Sequence, residues 1–199
     1  MGRQTRLGAV MESAAELFSA RGFAATSVRA VAARAEISTA GLYYHIATKE
    51  DLLFRTCQGA IGEILGGARQ AVSGAADPVA QLRGVMENHF SSFQRQPHKL
   101  VLLNREVHHL SPAPRQAIAV LERQYLELVR GVIRRGQKAG LFKPLDASLV
   151  AFSLLAVLNG LEGWYDPAGR VSRHRLLAQM AEITLSGILK QTKPEQADG

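Results

Sequence analysis

Apolar positions recur at intervals of three and four along almost the whole chain. From the N-terminus they fall at Leu7, Val10, Met11, Ala14, Leu17 and Phe18, the single-face spacing of an amphipathic helix. Gly22 after Arg21 predicts its C-terminal stop. Thr26 is placed to cap a second, short helix with Val28, Val31 and Ala32 inward. Ser38 is placed to cap a third carrying Leu42 and Ile46, and Thr48 a fourth with Glu50 and Asp51 in its first turn. The fourth is predicted to end near Val72. Asp77-Pro78 opens a fifth that ends near Gln94. A sixth covers His98–Leu110, and Ser111-Pro112 opens a seventh that runs to Gly140. Asp146 caps an eighth reaching Tyr165, and Ser172 caps a ninth. β-branched residues are scattered and no alternating strand run exceeds a few residues, so the predicted fold class is all-α, with nine helices.

Composition narrows the class without naming a function. The chain has 199 residues, 47% hydrophobic and 21% charged, ordinary for a globular protein long enough to fold without disulfide or structural metal. The single Cys57 cannot close an internal disulfide, which fits a reducing compartment. No secretory h-region is evident at the N-terminus. The longest apolar stretch, Ala147–Leu158, is interrupted by Ser148 and Ser153 and is too short to span a bilayer. The expected location is the cytoplasm, with no membrane partner.

The net charge of +7 suits a polyanionic partner, yet its distribution misleads. Residues 1–50 carry six Lys/Arg against four Asp/Glu, whereas residues 111–150 carry seven against three. Most of the excess lies outside the segment that has the proportions of a DNA reader.

That segment is Ser27–Ala35, the turn Ala35-Glu36-Ile37-Ser38, and Thr39–Ile46, two short helices in helix-turn-helix proportion. The second helix of such a unit enters the major groove with its N-terminal residues at base edges. Its start, Ser38-Thr39-Ala40-Gly41, is small enough for close backbone approach. Its end, Tyr43-Tyr44-His45, offers phenolic and imidazole donors at phosphate height. Lys49 is expected to add a charge-assisted phosphate contact beside a helix N-terminus. Arg29, and Ser27 before it, complete the expected DNA-facing set; Arg29 reads equally as a solvated side chain, and Tyr43 as packing.

The residues Ala14-Ala-Glu-Leu-Phe18, Gly22-Phe23, Thr26-Ser27, Val31-Ala32, Ile37-Ser38, Gly41-Leu-Tyr-Tyr-His45 and Lys49-Glu50-Asp-Leu-Leu53 resemble the DNA-binding domain of TetR-type repressors over residues 5–55. The resemblance implies a two-domain, all-helical homodimer. Residues 1–50 would form the helix-turn-helix domain and residues 51–192 a ligand-binding and dimerisation domain, followed by a polar tail at 193–199. It further implies repression of a palindromic double-stranded operator, and release by a small-molecule inducer. The last two helices would build the dimer seam, through Phe152, Leu155, Asn159, Leu176, Met180 and Ile183.

The segment Gly160–Arg170, with its Trp-Tyr-x-Pro-x-Gly pattern, and Leu42-Tyr-Tyr-His-Ile46 resemble a branch of the family that responds to acyl-CoA thioesters. Candidate pocket walls are His89, Phe90, Phe93, Leu102, Arg105, Tyr125 and Val129, each of which reads also as plain core. Arg123, Arg130, Arg134 and Lys138 share a helix face, a row able to hold CoA phosphates. Arg130 and Arg134 are the ligand residues taken from it. The row reads equally as a solvated face, with Glu127 expected to pair with Arg123. An inducer that is an uncharged hydrophobic xenobiotic, controlling efflux, is the alternative; a non-specific DNA-packaging protein is more remote. No cofactor, catalytic residue or metal site is expected. Cys57 has no evident base, and His108-His109 are predicted to point about 100° apart on a helix, away from any shared metal.

Overall fold

In the computed structural model, residues 3–166 and 168–189 are described; the predicted polar tail at 193–199 lies outside them. Among the described residues nine α-helices follow in order: α1 (Arg3–Arg21), α2 (Val28–Arg34), α3 (Thr39–Tyr43), α4 (Lys49–Ser73), α5 (Pro78–Arg95), α6 (Pro97–Arg105), α7 (Pro112–Lys138), α8 (Ala147–Asn159) and α9 (Arg173–Ile188). Short 3-10 turns cover Val107–His109 and Gly160–Gly163. Among the described residues the only β-type pairing is an isolated antiparallel bridge between Phe142 and Leu189.

Capping chemistry sets most of the boundaries. The hydroxyls of Ser38 and Ser172 and the carboxylate of Asp146 each accept from a backbone N–H three residues on, at 2.9, 3.4 and 2.8 Å. The second helix is the exception. Its cap is Ser27, whose Oγ accepts from the Ala30 N–H at 3.1 Å. Thr26 points inward instead and donates to the Gly22 and Leu17 carbonyls, a buried tie that holds the α1–α2 loop to the end of α1.

Three helices are shorter than the sequence predicts. The α-helix α3 stops at Tyr43, because the His45 and Ile46 N–H groups converge on the Leu42 carbonyl and tighten the turn before Thr48 caps α4. The sixth gives way to a 3-10 turn after Arg105. The eighth does so at Asn159, where Gly160 and Gly163 weaken helical continuity.

The described residues divide into two compact units, one within 1–67 and 91–125, the other within 68–90 and 126–199. In the first, α1 packs on α2 and α6, and α2 packs on α3. Its buried residues include Val10, Ala14 and Phe18 of α1, Val31 and Ala32 of α2, Leu42 of α3, and Leu52 and Leu53 of α4.

In the second, α7 ends in a Schellman motif. Gly140 takes φ +75°, its N–H bonds the Gln137 carbonyl, and the Leu141 N–H reaches back to Gly136 at 2.9 Å. The reversal lays the fully buried Phe142 ring directly on the α-carbon of Gly136. The Lys143 N–H then bonds the Ile188 carbonyl at 2.7 Å, and its ammonium donates to the Gly187 carbonyl at 2.9 Å, closing off the end of α9.

A Cβ at position 136 would lie 2.2 Å from a carbon of the Phe142 ring. Gly136→Ala is therefore expected to destabilise the fold by about 3 kcal/mol, lowering Tm by roughly 6–12 °C at this chain length. Thermal unfolding followed by circular dichroism checks it, and an unchanged Tm would show that the ring can move away without loss.

Candidate nucleic-acid interface

The helix-turn-helix is built on very little regular structure. Helix α2 has seven residues and α3 five, so neither is stable by itself. They are held by a two-residue apolar grip from each side: Val31 and Ala32 are buried from α2, Leu42 and Ile46 from α3 and the turn after it. The connecting turn again has Schellman form. The Ile37 N–H bonds the Ala32 carbonyl at 3.0 Å and the Glu36 N–H bonds that of Ala33 at 3.2 Å. Here the left-handed position is occupied by Glu36, at φ +55°, where glycine would be at ease and a side chain costs about 1–2 kcal/mol. Nothing in the sequence pattern marks that position, since the usual signal is a glycine.

With Leu42 and Ile46 turned inward, the opposite side of α3 is open. Tyr43 is 52% and Tyr44 68% exposed, and Ala40 and Ser38 are exposed as well. Thr39, Gly41 and His45 are half-buried, and the His45 ring stands edge-on to Tyr44 with centroids 5.3 Å apart. From α2 and its cap, Arg29 and Ser27 are exposed. Both capping hydroxyls, Ser27 and Ser38, use an oxygen lone pair on their own helix and keep the O–H proton for another acceptor. The exposed residues thus include small ones at the start of α3, two phenols at its end, and a guanidinium from α2.

Lys49 is half-buried, with its charge turned onto backbone. Its ammonium does not extend toward solvent but donates to the carbonyls of Phe23, Thr26 and Ala24 at 2.9, 3.1 and 3.4 Å. It also lies 4.3 Å from the centre of the Phe23 ring. On the other side of the same residue, the Phe23 N–H donates to Glu106 at 3.2 Å. Glu50, next along α4, accepts from the Ser111 N–H at 2.7 Å, and bonds from Ser111 hold its carboxyl below the usual range.

The residues expected to bind ligand fall in both units. In the unit of residues 1–67 and 91–125, Phe93, Leu102 and Tyr125 are buried and Arg105 is exposed. In the other, His89, Phe90 and Val129 are buried and Arg134 is exposed. Burial pushes the His89 imidazole down to about 4, so it is neutral at pH 7. Glu127 does not pair with Arg123; it lies 2.5 Å from Arg130, three residues on. A small cavity of 160 Å³ is lined by α5 and α9, with Arg83, Glu87 and His174 as its polar groups and Met86, Leu177, Ala178 and Ala181 beside them. None of the expected ligand residues borders it.

The expected dimer seam lies within one unit but divides between exposed and buried residues. Phe152, Asn159 and Ile183 are exposed and Leu155 is half-buried, but Leu176 and Met180 face inward at 5% and 8% exposure and leave almost no surface for a partner. The open apolar face of α8 instead runs through Leu149, Phe152, Ala156 and Val157, with Ser153 among them. The period of the sequence gives both faces of α9 an apolar character, so it could not tell the inner from the outer.

No group of three or more metal-ligating side chains exists among the described residues. His108 and His109 do not diverge, because the 3-10 turn brings their ring centroids to 4.1 Å. Cys57 is buried, and desolvation, with Glu122 and Glu106 nearby, pushes its thiol up to about 12, far from a nucleophilic thiolate. No described helix is long and apolar enough to cross a membrane.

Residues 10–56 match the model of the bacterial regulatory proteins of the tetR family, and residues 75–188 match that of the tetracyclin repressor-like C-terminal domain. The chain belongs to the TetR family. It is 29% identical over 189 residues, 94% of each chain, to the HTH-type transcriptional repressor KstR2 of Mycobacterium tuberculosis. The solved structure of that ketosteroid transcriptional regulator superposes with a TM-score of 0.87 at 28% identity, covering 96% of this chain and 98% of that one. A structure of AibR in complex with isovaleryl coenzyme A and operator DNA is 27% identical with a TM-score of 0.81, over 92% of this chain and 97% of that one. Family and relatives are transcriptional regulators, not enzymes.

As a TetR-family regulator the chain needs α3 in one orientation, and the Ser38 cap is its cheapest point of attack. Ser38→Ala is expected to cost about 1 kcal/mol of stability and to weaken DNA binding. Tyr44→Phe is expected to weaken DNA binding while leaving Tm within about 1 °C, since an exposed phenol adds little to stability. Thermal melts paired with anisotropy titrations check both, and undiminished affinity in Tyr44→Phe would remove Tyr44 from the interface.

Proposed function

We propose that this TetR-family regulator is a cytoplasmic, homodimeric repressor that binds a palindromic operator and is released by a small-molecule inducer, an acyl-CoA thioester. The observation that supports the DNA part is that Ser27, Arg29, Ala40, Tyr43 and Tyr44 are exposed and Thr39 half-buried, while Leu42 and Ile46 are buried. Ser38, Gly41 and His45 complete the proposed set. In this reading residues 1–50 are the reading head and residues 51–192 the effector and dimerisation part.

The unpartnered apolar face of α8 supports the dimer. Leu149 and Phe152 are 65% and 57% exposed and Ile183 is 73% exposed, an arrangement that favours burial against a second copy. Two heads related by a two-fold axis would meet half-sites about one DNA turn apart or somewhat wider. The acyl-CoA reading draws on the AibR complex with isovaleryl coenzyme A and on the basic residues Arg123, Arg134 and Lys138, exposed along α7. Release requires that the inducer bind the DNA-incompetent state more tightly, by several kcal/mol for a near-complete switch.

The test is anisotropy on DNA from upstream of the chain's own gene, with random DNA at the same salt as control, repeated with acyl-CoAs and their free acids. Selective binding released by a thioester but not by its acid is the expected result. Selective binding untouched by the panel, with an inducer response that survives Arg134→Glu, would favour an uncharged xenobiotic; no selectivity would leave only non-specific packaging. A separate check addresses the dimer. Phe152→Asp is expected to shift sedimentation from dimer to monomer and to weaken operator binding at least about tenfold, whereas a dimer that persists would move the seam elsewhere.

A further inference from the structure

We propose that Lys49 is a positioning residue of the reading head, which fixes the α1–α2 loop through its ammonium and does not contact DNA phosphate. The inference rests on the operator-binding reading above.

An ammonium has three protons and no acceptor. Lys49 has three backbone carbonyls within 3.4 Å, those of Phe23, Ala24 and Thr26, so protons and acceptors match one to one. The face of the Phe23 ring, 4.3 Å away, adds a cation–π attraction. A phosphate could be met only by giving up at least one of these bonds.

The loop in turn is shaped to present those carbonyls. Gly22 leaves α1 at φ +81°, and the buried Thr26 hydroxyl donates back to the Gly22 and Leu17 carbonyls. The peptides between are thereby turned with their oxygens toward the first residue of α4. Three carbonyl dipoles aimed at one point repel unless a cation sits there. From the opposite side Glu106 takes the Phe23 N–H at 3.2 Å, while lying 3.3 Å from His109 Nε2. Phe23 is therefore held by a carboxylate on its N–H and an ammonium on its carbonyl.

What the clamp controls is the entry to the helix-turn-helix. Thr26, whose carbonyl Lys49 holds, immediately precedes Ser27, the cap of α2. Helix α2 packs on α3. Lys49 thus acts on the recognition helix through the loop, the cap and α2, without facing DNA itself.

Melting temperature and the salt dependence of binding separate this role from phosphate contact. In the full-length protein, Lys49→Met removes charge and donors, and Lys49→Gln removes the charge but keeps two donors. Without DNA, Lys49→Met is expected to lower Tm by roughly 5 °C, with Lys49→Gln in between. On its own upstream DNA, Lys49→Met is expected to lose at least about tenfold in affinity, with Lys49→Gln recovering part, and both should keep the wild-type slope of log affinity against log salt. A slope shallower by about 0.9, the signature of one lost phosphate contact, would overturn the proposal, and so would an unchanged Tm. Should Lys49→Met fail to fold, Lys49→Gln supplies the slope. A wild-type chain that shows no preference for its upstream DNA is the separate failure of the operator reading. In that case Tm alone decides whether Lys49 holds the loop.

Discussion

Recognition by this chain depends on burying two side chains, Leu42 and Ile46, from a helix too short to exist alone. A five-residue helix fixes too many dihedrals for the few hydrogen bonds it closes. Its orientation is therefore inherited from what it packs on: Val31 and Ala32 of α2, both fully buried, and the Ser38 cap at its start. Once the apolar side is committed, helical geometry leaves Ala40, Tyr43 and Tyr44 turned away from it, and all three are exposed. The functional surface is in this sense the complement of the core. That explains why small or neutral residues can be specified there without any charge to guide them.

The dependence passes one step further back, to the loop before α2. Its backbone is not satisfied by helix or sheet, so its polar groups need partners from elsewhere. Thr26 supplies one from within, Glu106 one from α6's end, and Lys49 three from the first turn of α4. These groups come from distant parts of the sequence but from one compact unit. Charge at this junction is used to hold backbone, where it is shielded and directional, and the aromatic ring of Phe23 packs edge-on to Phe18 at 5.2 Å beneath it.

Much of this was legible beforehand, and the reasons for the failures are specific. Helix periodicity located all nine helices, and Ser38, Asp146 and Ser172 cap where a small polar residue precedes an apolar run. Thr26 and Ser27 are adjacent and equally good caps, so only burial could decide that Thr26 turns inward. Leu176 and Met180 share the apolar character of Ile183, and a helix with apolar residues on two faces does not say which one a neighbour covers. Lys49 is the most instructive case. The sequence shows its charge at the start of a helix but not the three carbonyls that the loop turns toward it. Glu36 was invisible for the opposite reason: it occupies a left-handed position that usually announces itself with glycine.

The placement of charge bears on how such a regulator can let go. Residues 1–50 carry six Lys/Arg against four Asp/Glu, and two of the six cations are engaged within the protein, Arg34 with Glu16 and Lys49 with carbonyls. Non-specific affinity grows with the number of phosphates neutralised, so each cation engaged within the protein lowers it. In the proposed reading binding draws on Arg29 and on neutral donors, the Ser27 and Ser38 hydroxyls and the two tyrosines, each sensitive to angle and distance. A change in the spacing of two such heads breaks many short bonds at once and leaves little residual electrostatic attraction to keep the protein on DNA. A more basic head would bind more tightly and release less completely. In the proposed reading, the modest charge of residues 1–50 thus suits a switch driven by a few kcal/mol of ligand preference.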